Sequence, residues 1–289
     1  MKNLETQNII EIVRYVGDEI LLPNWGKVER SDKEDGSPVT VVDKQASDYI
    51  ITNLQALTPD IPVISEEAAV EDNIGAMQSS LRWVTDPLDG TATYLNGPRL
   101  GDVAGFGVHV ALIDGDTPVA GVAYFPAQGR MYFTDEHHDS YLQIKGQLPE
   151  QIYVNQMFDH DQIRVAVPWK EQKRPLSING HDYNAVPAVG GEQICKVAHG
   201  EADLMWHDRP DKPGATADKE VFSHWDVAAA HAILKGAGGD LYDISTGRSV
   251  TYDNPEFTVP ACVAGHSDLL DRIGFNRVER FYDNGIEFD

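Results

Sequence analysis

Trp83-Val84-Thr85-Asp86-Pro87-Leu88-Asp89-Gly90-Thr91 joins an apolar run to two aspartates spaced i, i+3, and then to Gly-Thr. The run from Leu81 to Val84 reads as a buried strand. Pro87 lacks an N–H and fixes its own φ, so it is predicted to stop that strand and turn the chain. Asp86 and Asp89 then converge from one tight turn, and Thr91 sets a hydroxyl beside them. Gly90 lets the backbone approach a ligand closely. Two convergent carboxylates at a strand end suit hard divalent cations, which take oxygen ligands. Taken alone, the stretch also reads as a type I turn with solvated acids.

Three further segments place acids in similar settings. Pro62-Val63-Ile64-Ser65-Glu66-Glu67 is a short apolar strand ending in two glutamates. His224-Trp225-Asp226-Val227 opens a helix with an aspartate in its first turn, and Val39-Thr40-Val41-Val42-Asp43 puts one after a β-branched run. In a single cleft, Asp43, Glu66, Glu67, Asp86, Asp89 and Asp226 would repel one another, and some would stay protonated. Divalent cations offset that repulsion. Mg²⁺ takes one or two carboxylates per ion, so a set of this size suits roughly two or three ions rather than one. Each acid also has a local reading: Glu66 and Glu67 as a macrodipole-stabilised pair, Asp43 as an N-cap, Asp226 as an ordinary first-turn acid, Thr91 as a cap.

The four segments, in this order, resemble the magnesium-dependent, lithium-sensitive phosphatase superfamily that includes inositol monophosphatases, 3′(2′),5′-bisphosphate nucleotidases and related sugar phosphatases. The resemblance extends over roughly residues 9–265. It implies a five-layered αβαβα sandwich of the inositol monophosphatase/fructose-1,6-bisphosphatase type, with the active site between two halves. Periodicity alone supports an α+β or mixed α/β fold. The resemblance further implies that Glu66, Asp86 and the Leu88 carbonyl hold one Mg²⁺, and that Asp86, Asp89 and Asp226 hold another. Glu67 would reach a weaker third ion or its water. Thr91, paired with Asp43, would orient and deprotonate the attacking water, which makes Asp43, Thr91 and Glu67 the catalytic candidates. The N–H groups of Gly90 and Thr91, at a helix N-terminus, would bind phosphate oxygens. Gly191 and His224 are further candidate substrate contacts.

Asp35-Gly36-Ser37-Pro38-Val39-Thr40 and Leu57 to Glu67 look most like the bacterial bisphosphate nucleotidases, which remove the 3′-phosphate of adenosine 3′,5′-bisphosphate. Two places depart from that branch. Ala92-Thr93-Tyr94 stands where it usually has Lys-Glu-Phe, and Gly190-Gly191-Glu192-Gln193 where it usually has Ser-Ser-Leu-Lys. A lysine suited to a second phosphate is missing at both. Asp208 to Ser223 carries Arg209, Lys212 and Lys219, and could supply those cations from a loop. The alternatives are a phosphatase of inositol, histidinol or sugar phosphates, and a non-catalytic sensor of a phosphate ester.

Charge and composition exclude other classes. The 289 residues carry 23 basic and 46 acidic side chains, a net charge of −23, which argues against nucleic-acid polymers as partners. Cations bound at the acids would reverse the local field and admit an anionic substrate. No apolar run is long enough for a bilayer, and the first residues lack a secretory pattern. Cys195 and Cys262 lie in apolar settings and are expected to be buried; two are too few for a disulfide framework, and a cytoplasmic home is expected. A homodimer is expected from the resemblance.

Along the chain, helices are predicted over 4–22 (ended by Pro23) and 43–57, and 26–38 reads as a loop or hairpin. Strands follow at 62–65, 81–86, 103–113, 118–125 and 130–134, with an acidic connection over 66–80. This is the first half, residues 1–155, which holds most of the metal motifs. The second half, 156–289, alternates strands at 163–168, 186–189, 202–206, 241–243 and 261–264 with helices at 192–199, 225–236 and 268–273. It contributes Asp226 and substrate contacts to one catalytic unit.

Overall fold

A computed structural model describes residues 6–28, 31–32, 38–98, 105–157, 162–169, 176–178, 181–207 and 222–273. Helix α1, Thr6–Tyr15, buries Ile9, Ile12 and Val13 and runs on as a π-helical stretch, Val16–Leu21, into a short α2, Leu22–Asn24. Within the segment 26–38, Ser31–Asp32 (β1) pairs antiparallel with Pro38–Val39 (β2). Helix α3, Val41–Leu57, starts two residues before its predicted position. Thr40 caps it and Asp43 completes a capping box, each satisfying an N–H that the first turn leaves unpaired.

β3 (Val63–Ser65) leads to α4 (Val70–Ala76), a helix inside the stretch predicted as an acidic connection. β4 follows at Leu81–Asp89. The strand does not stop at Pro87. It continues to Asp89 through a register shift against β5, between Asp86 and Asp89, where the missing proline N–H costs little. After α5 (Thr91–Asn96) come β5 (Gly107–Asp114), β6 (Thr117–Phe125), β7 (Arg130–Thr134), β8 (Ser140–Ile144) and β9 (Glu150–Gln151). β3 to β9 form a seven-stranded sheet in sequence order, antiparallel except for β3 against β4.

The second sheet has six strands: β10 (Arg164–Pro168), β11 (Leu176–Ile178), β12 (His181–Ala188), β13 (Leu204–His207), β14 (Asp240–Asp243) and β15 (Cys262–Gly265). Their order is β11-β12-β10-β13-β15-β14, with β10 parallel to β12 and β13. Helices α6 (Glu192–Ala198), α7 (His224–Gly236) and α8 (Ser267–Arg272) complete the fold.

Alternation along the strands builds five layers. Val108, Val110 and Leu112 of β5 face α1 and α3, in a core with Ile9, Val13, Ile50 and Leu54. Ala111 and Ile113, on the other face, join Val227, Ala230 and Ile233 of α7. That same core takes in Ala166, Met205 and Ala264 from the second sheet, whose outer face packs Val165 and Leu204 against Leu269 of α8. The order is thus helix, sheet, helix, sheet, helix. Gly121 sets the depth of α7, because a Cβ there would lie 2.3 Å from the Ala229 carbonyl oxygen. Arg82, among Leu81, Trp83 and Val84 at the start of β4, is buried and donates to carbonyls of Ser79, Ser80, Gly115 and Tyr252, which ties β4 to the second half. Cys195 and Cys262 are free and buried. Among the described residues, no helix is long and apolar enough to cross a membrane.

Candidate active site

The acids gather at the end of β4. Asp86 and Asp89 lie on either side of the register shift and both are buried. The Leu88 N–H donates to Asp86 Oδ1 at 2.9 Å, which folds the Asp-Pro-Leu turn onto its own carboxylate. Glu66 and Glu67 follow β3, with the Glu66 N–H donating to the Thr85 carbonyl at 3.3 Å. Asn73 of α4 fixes the residue just before them: its side chain accepts from Ser65 N–H and donates to the Ser65 carbonyl. Sequence reasoning missed Asn73, which carries no periodic signal.

Gly90 adopts a left-handed conformation, φ +84°, and starts α5. Thr91 Oγ1 donates to the Leu88 carbonyl at 3.1 Å and lies 3.4 Å from Asp43 Oδ1. The other oxygen of Asp43 accepts from Thr40 Oγ1 at 2.5 Å and Thr40 N–H at 2.8 Å. Asp43 is therefore both capping residue and Thr91 partner, so its two readings coexist. Burial raises its pKa, against the lowering pull of the Thr40 bonds.

The second half closes on Asp89. Gly191 N–H donates to Asp89 Oδ2 at 2.9 Å. Gly190, at φ +46°, lies so close that a Cβ would stand 1.9 Å from Asp89 Oδ1. Gly191, expected to meet substrate, here serves an acid. Beneath the same carboxylate, His109 of β5 is fully buried, its Nε2 3.6 Å from Asp89 Oδ2. Burial pushes its imidazole down to about 4, although the Asp226 and Trp225 carbonyls pull the other way. Sequence reasoning passed over His109, a lone histidine between Val108 and Val110. It also passed over Glu192, a buried acid at the start of α6 that raises the pKa of Asp89 and faces Lys196 Nζ at 3.6 Å.

Asp226 comes from the first turn of α7, where one oxygen accepts from Ser223 N–H at 2.6 Å. His224, its near neighbour, corrects an expectation. It is fully buried, its ring packs on Tyr252 and Phe257, and neither nitrogen has a hydrogen-bond partner, so it is not placed to touch substrate. Burial pushes its pKa to about 4. Most of the candidate loop, 208–221, lies outside the described residues.

Electrostatics unite the acids. Burial raises the pKa of Asp86 well above its usual range, and Glu66, Asp89 and Asp226 each push it further. Asp89 is raised to about 7, first by burial, with Glu66 and Glu192 adding to it against the Gly191 bond. Acids from the end of β3, from β4 and from α7 thus repel one another around the buried Asp86, which is the donor chemistry a hard divalent cation matches. Among the described residues, however, no three potential ligands already stand in ligating geometry. Asp86, Asp89 and Asp226 each hold an oxygen on a backbone N–H instead. The donor set fits the ion in chemistry, and the side chains are set by their own N–H partners.

A model of the Inositol monophosphatase family matches residues 5–274. The chain belongs to the inositol monophosphatase family. Among curated members, the 3′(2′),5′-bisphosphate nucleotidase CysQ of Salmonella typhimurium is 29% identical over 269 residues, covering 88% of this chain and 98% of that protein. The fructose-1,6-bisphosphatase/inositol-1-monophosphatase of Aquifex aeolicus is 28% identical over 286 residues, covering 94% and 96%. Solved family folds superimpose over nearly the whole chain. The Thermotoga maritima IMPase does so with TM-score 0.69 at 20% identity, covering 96% of this chain and 98% of the other. CysQ from Bacteroides thetaiotaomicron gives 0.67 at 23%, covering 91% and 98%. The five-layered fold expected from the motifs is the fold found.

Proposed function

We propose that the chain is a Mg²⁺-dependent phosphomonoesterase acting on a small phosphate ester, and specifically a 3′(2′),5′-bisphosphate nucleotidase. The observation that carries the reading is the meeting of the buried Asp86 and Asp89 with the half-buried Glu66 and Asp226, beside the Thr91–Asp43 pair. Glu66, Asp86, Asp89, Asp226 and the Leu88 carbonyl are the groups that would hold the ions, with Glu67 at the margin. Bound divalent cations would make water more acidic and neutralise phosphate charge.

The chain's own residues do the rest. In the working site the Thr91 hydroxyl would turn its single proton from the Leu88 carbonyl to the Asp43 carboxylate, 3.4 Å away, so that as it takes a proton from water its own passes to Asp43, which becomes neutral. Thr40 holds Asp43 in that role from the opposite oxygen. The Gly90 and Thr91 N–H groups, opening α5, support phosphate oxygens. The nucleotide preference rests on the Asp35 to Thr40 and Leu57 to Glu67 motifs and on the 29% identity to a CysQ.

The test is phosphate release with Mg²⁺, comparing adenosine 3′,5′-bisphosphate with inositol 1-phosphate, with and without Li⁺. The expected result is Li⁺-inhibited turnover, with kcat/KM for the nucleotide about a hundredfold higher, a difference worth about 2.7 kcal/mol. A preference for inositol phosphate would move the chain to the sister activity suggested by the Aquifex relative. Turnover of neither would overturn the nucleotidase reading.

A further inference from the structure

Buried polar atoms are nearly always hydrogen-bonded, and leaving one unpaired costs about 1–3 kcal/mol. His109 strains that pattern: it is fully buried, and neither ring nitrogen makes a hydrogen bond of good geometry, although the Asp226 and Trp225 carbonyls face the ring. It stands in β5 between Val108 and Val110, where its neighbours on the strand are aliphatic. A Val or Leu there would leave nothing unpaired, so packing gives no reason for an imidazole. Its surroundings do. Nε2 points at Asp89 Oδ2 from 3.6 Å. The opposite side of the ring closes on Gly191, where a Cβ would lie 2.5 Å from His109 Cε1, and the Asp226 and Trp225 carbonyls act on the imidazole from α7. One ring therefore touches the backbone of both second-half segments that complete the acid cluster, and the carboxylate they close upon. At 3.6 Å the Nε2 contact is longer than a hydrogen bond, as such contacts often are before a site is filled.

We propose that His109 is the positioning residue of Asp89, its Nε2–H donating to Oδ2 so that Oδ1 is presented to a bound divalent cation. The proposal rests on the reading that Asp89 is a cation ligand. Groups that orient a ligand in this way typically change metal affinity about 10–100-fold when removed.

The experiment is calorimetric titration of the whole, metal-stripped chain with Mn²⁺, together with its Tm in EDTA, for wild type, H109L, H109Q, D89N and the D89N/H109L double variant. H109Q keeps an N–H donor near the position of Nε2 and should bind within about threefold of wild type. H109L should bind about 10–100-fold more weakly without a lower Tm. In the D89N background, H109L should have almost no further effect, because the two residues act as one unit. Equal binding by H109L and wild type, with D89N weakened, would overturn the positioning role and leave the phosphatase reading intact. Wild-type binding by D89N would overturn the ligand reading itself. A loss in H109L that persists at full size in the D89N background would assign His109 to packing. Should H109L not fold, H109N, too short to bring a donor to Asp89, takes its place with the same outcomes.

Discussion

Gly190 is the residue on which Asp89 rests, and its bare Cα is what lets the two halves meet there. Gly190→Ala places a methyl 1.9 Å from Asp89 Oδ1 at a φ of +46° that side chains rarely adopt. The variant should fold with a lower Tm and lose at least about tenfold in Mn²⁺ affinity, measured by calorimetry. Thr91→Ala should lower kcat about 10²–10⁴-fold with little change in KM, because the role proposed for the hydroxyl lies in the chemical step, while Thr91→Ser should retain most of the rate. Equal losses in kcat and KM-limited binding would place Thr91 in substrate binding instead. The acids themselves were legible in the sequence because each ends an apolar run or opens a helix. His109 and Glu192 were not. His109, a single polar residue in an apolar run, has no period to betray it, and Glu192 reads as an ordinary first-turn acid; what sets each apart is its closeness to Asp89, 20 or 103 positions away.

At the scale of elements, α3 joins stability to chemistry. Its cap, Thr40, is also the hydrogen-bond donor that lowers the pKa of Asp43 against burial. Thr40→Ala should cost about 1 kcal/mol of stability, as caps usually do. It should also move the acid limb of the kcat/KM–pH profile to higher pH, since ionised Asp43 would then be harder to form. An unshifted limb would mean that Asp43 stays out of the rate-determining ionisation. The position of α7 is equally constrained: Gly121→Ala would drive a methyl into the Ala229 carbonyl, and overpacking of this kind costs about 1–3 kcal/mol. Most elements could be read from periodicity; β8, β9 and β11 were not, and β4 and α4 show why such reading fails. β4 was expected to end at Pro87, yet the strand passes through it, because a register shift there removes the need for a proline N–H. α4 hid in an acidic stretch because it buries only Asn73 and Ala76 and shows no apolar stripe.

For the whole molecule, the buried titratable groups set opposing pH dependences. His109 and His224 are held down to about 4 from an ordinary 6.5 by burial. The unfolded chain binds those protons first, so the stability they contribute is complete above about pH 6.5 and is lost as pH falls towards 4. The acids act in the other direction. Asp89 is raised to about 7 from 3.8, so the metal-free fold is progressively destabilised as pH rises through that window. A divalent cation should therefore raise Tm strongly at pH 8 and little at pH 5. Asp89→Asn should raise the metal-free Tm at pH 8 while shrinking the cation's effect. Thermal melts with Mg²⁺ and with EDTA at the two pH values check this, and a cation effect that is equal at both would sink it.

The central place of α7 bears on how the chain is made. The first sheet is complete at Gln151, but the helix that covers Ala111 and Ile113 begins only at His224, 73 residues later. At roughly 5–20 residues per second of synthesis, a nascent first half waits roughly 4–15 s with one apolar face uncovered. During that interval the ribosome-bound chain exposes apolar surface of the kind that makes folding intermediates prone to aggregate. The acids that follow β3 and end β4 then exist without Asp226 or the Gly191 N–H, so the full acid cluster assembles only after residue 226 has been made.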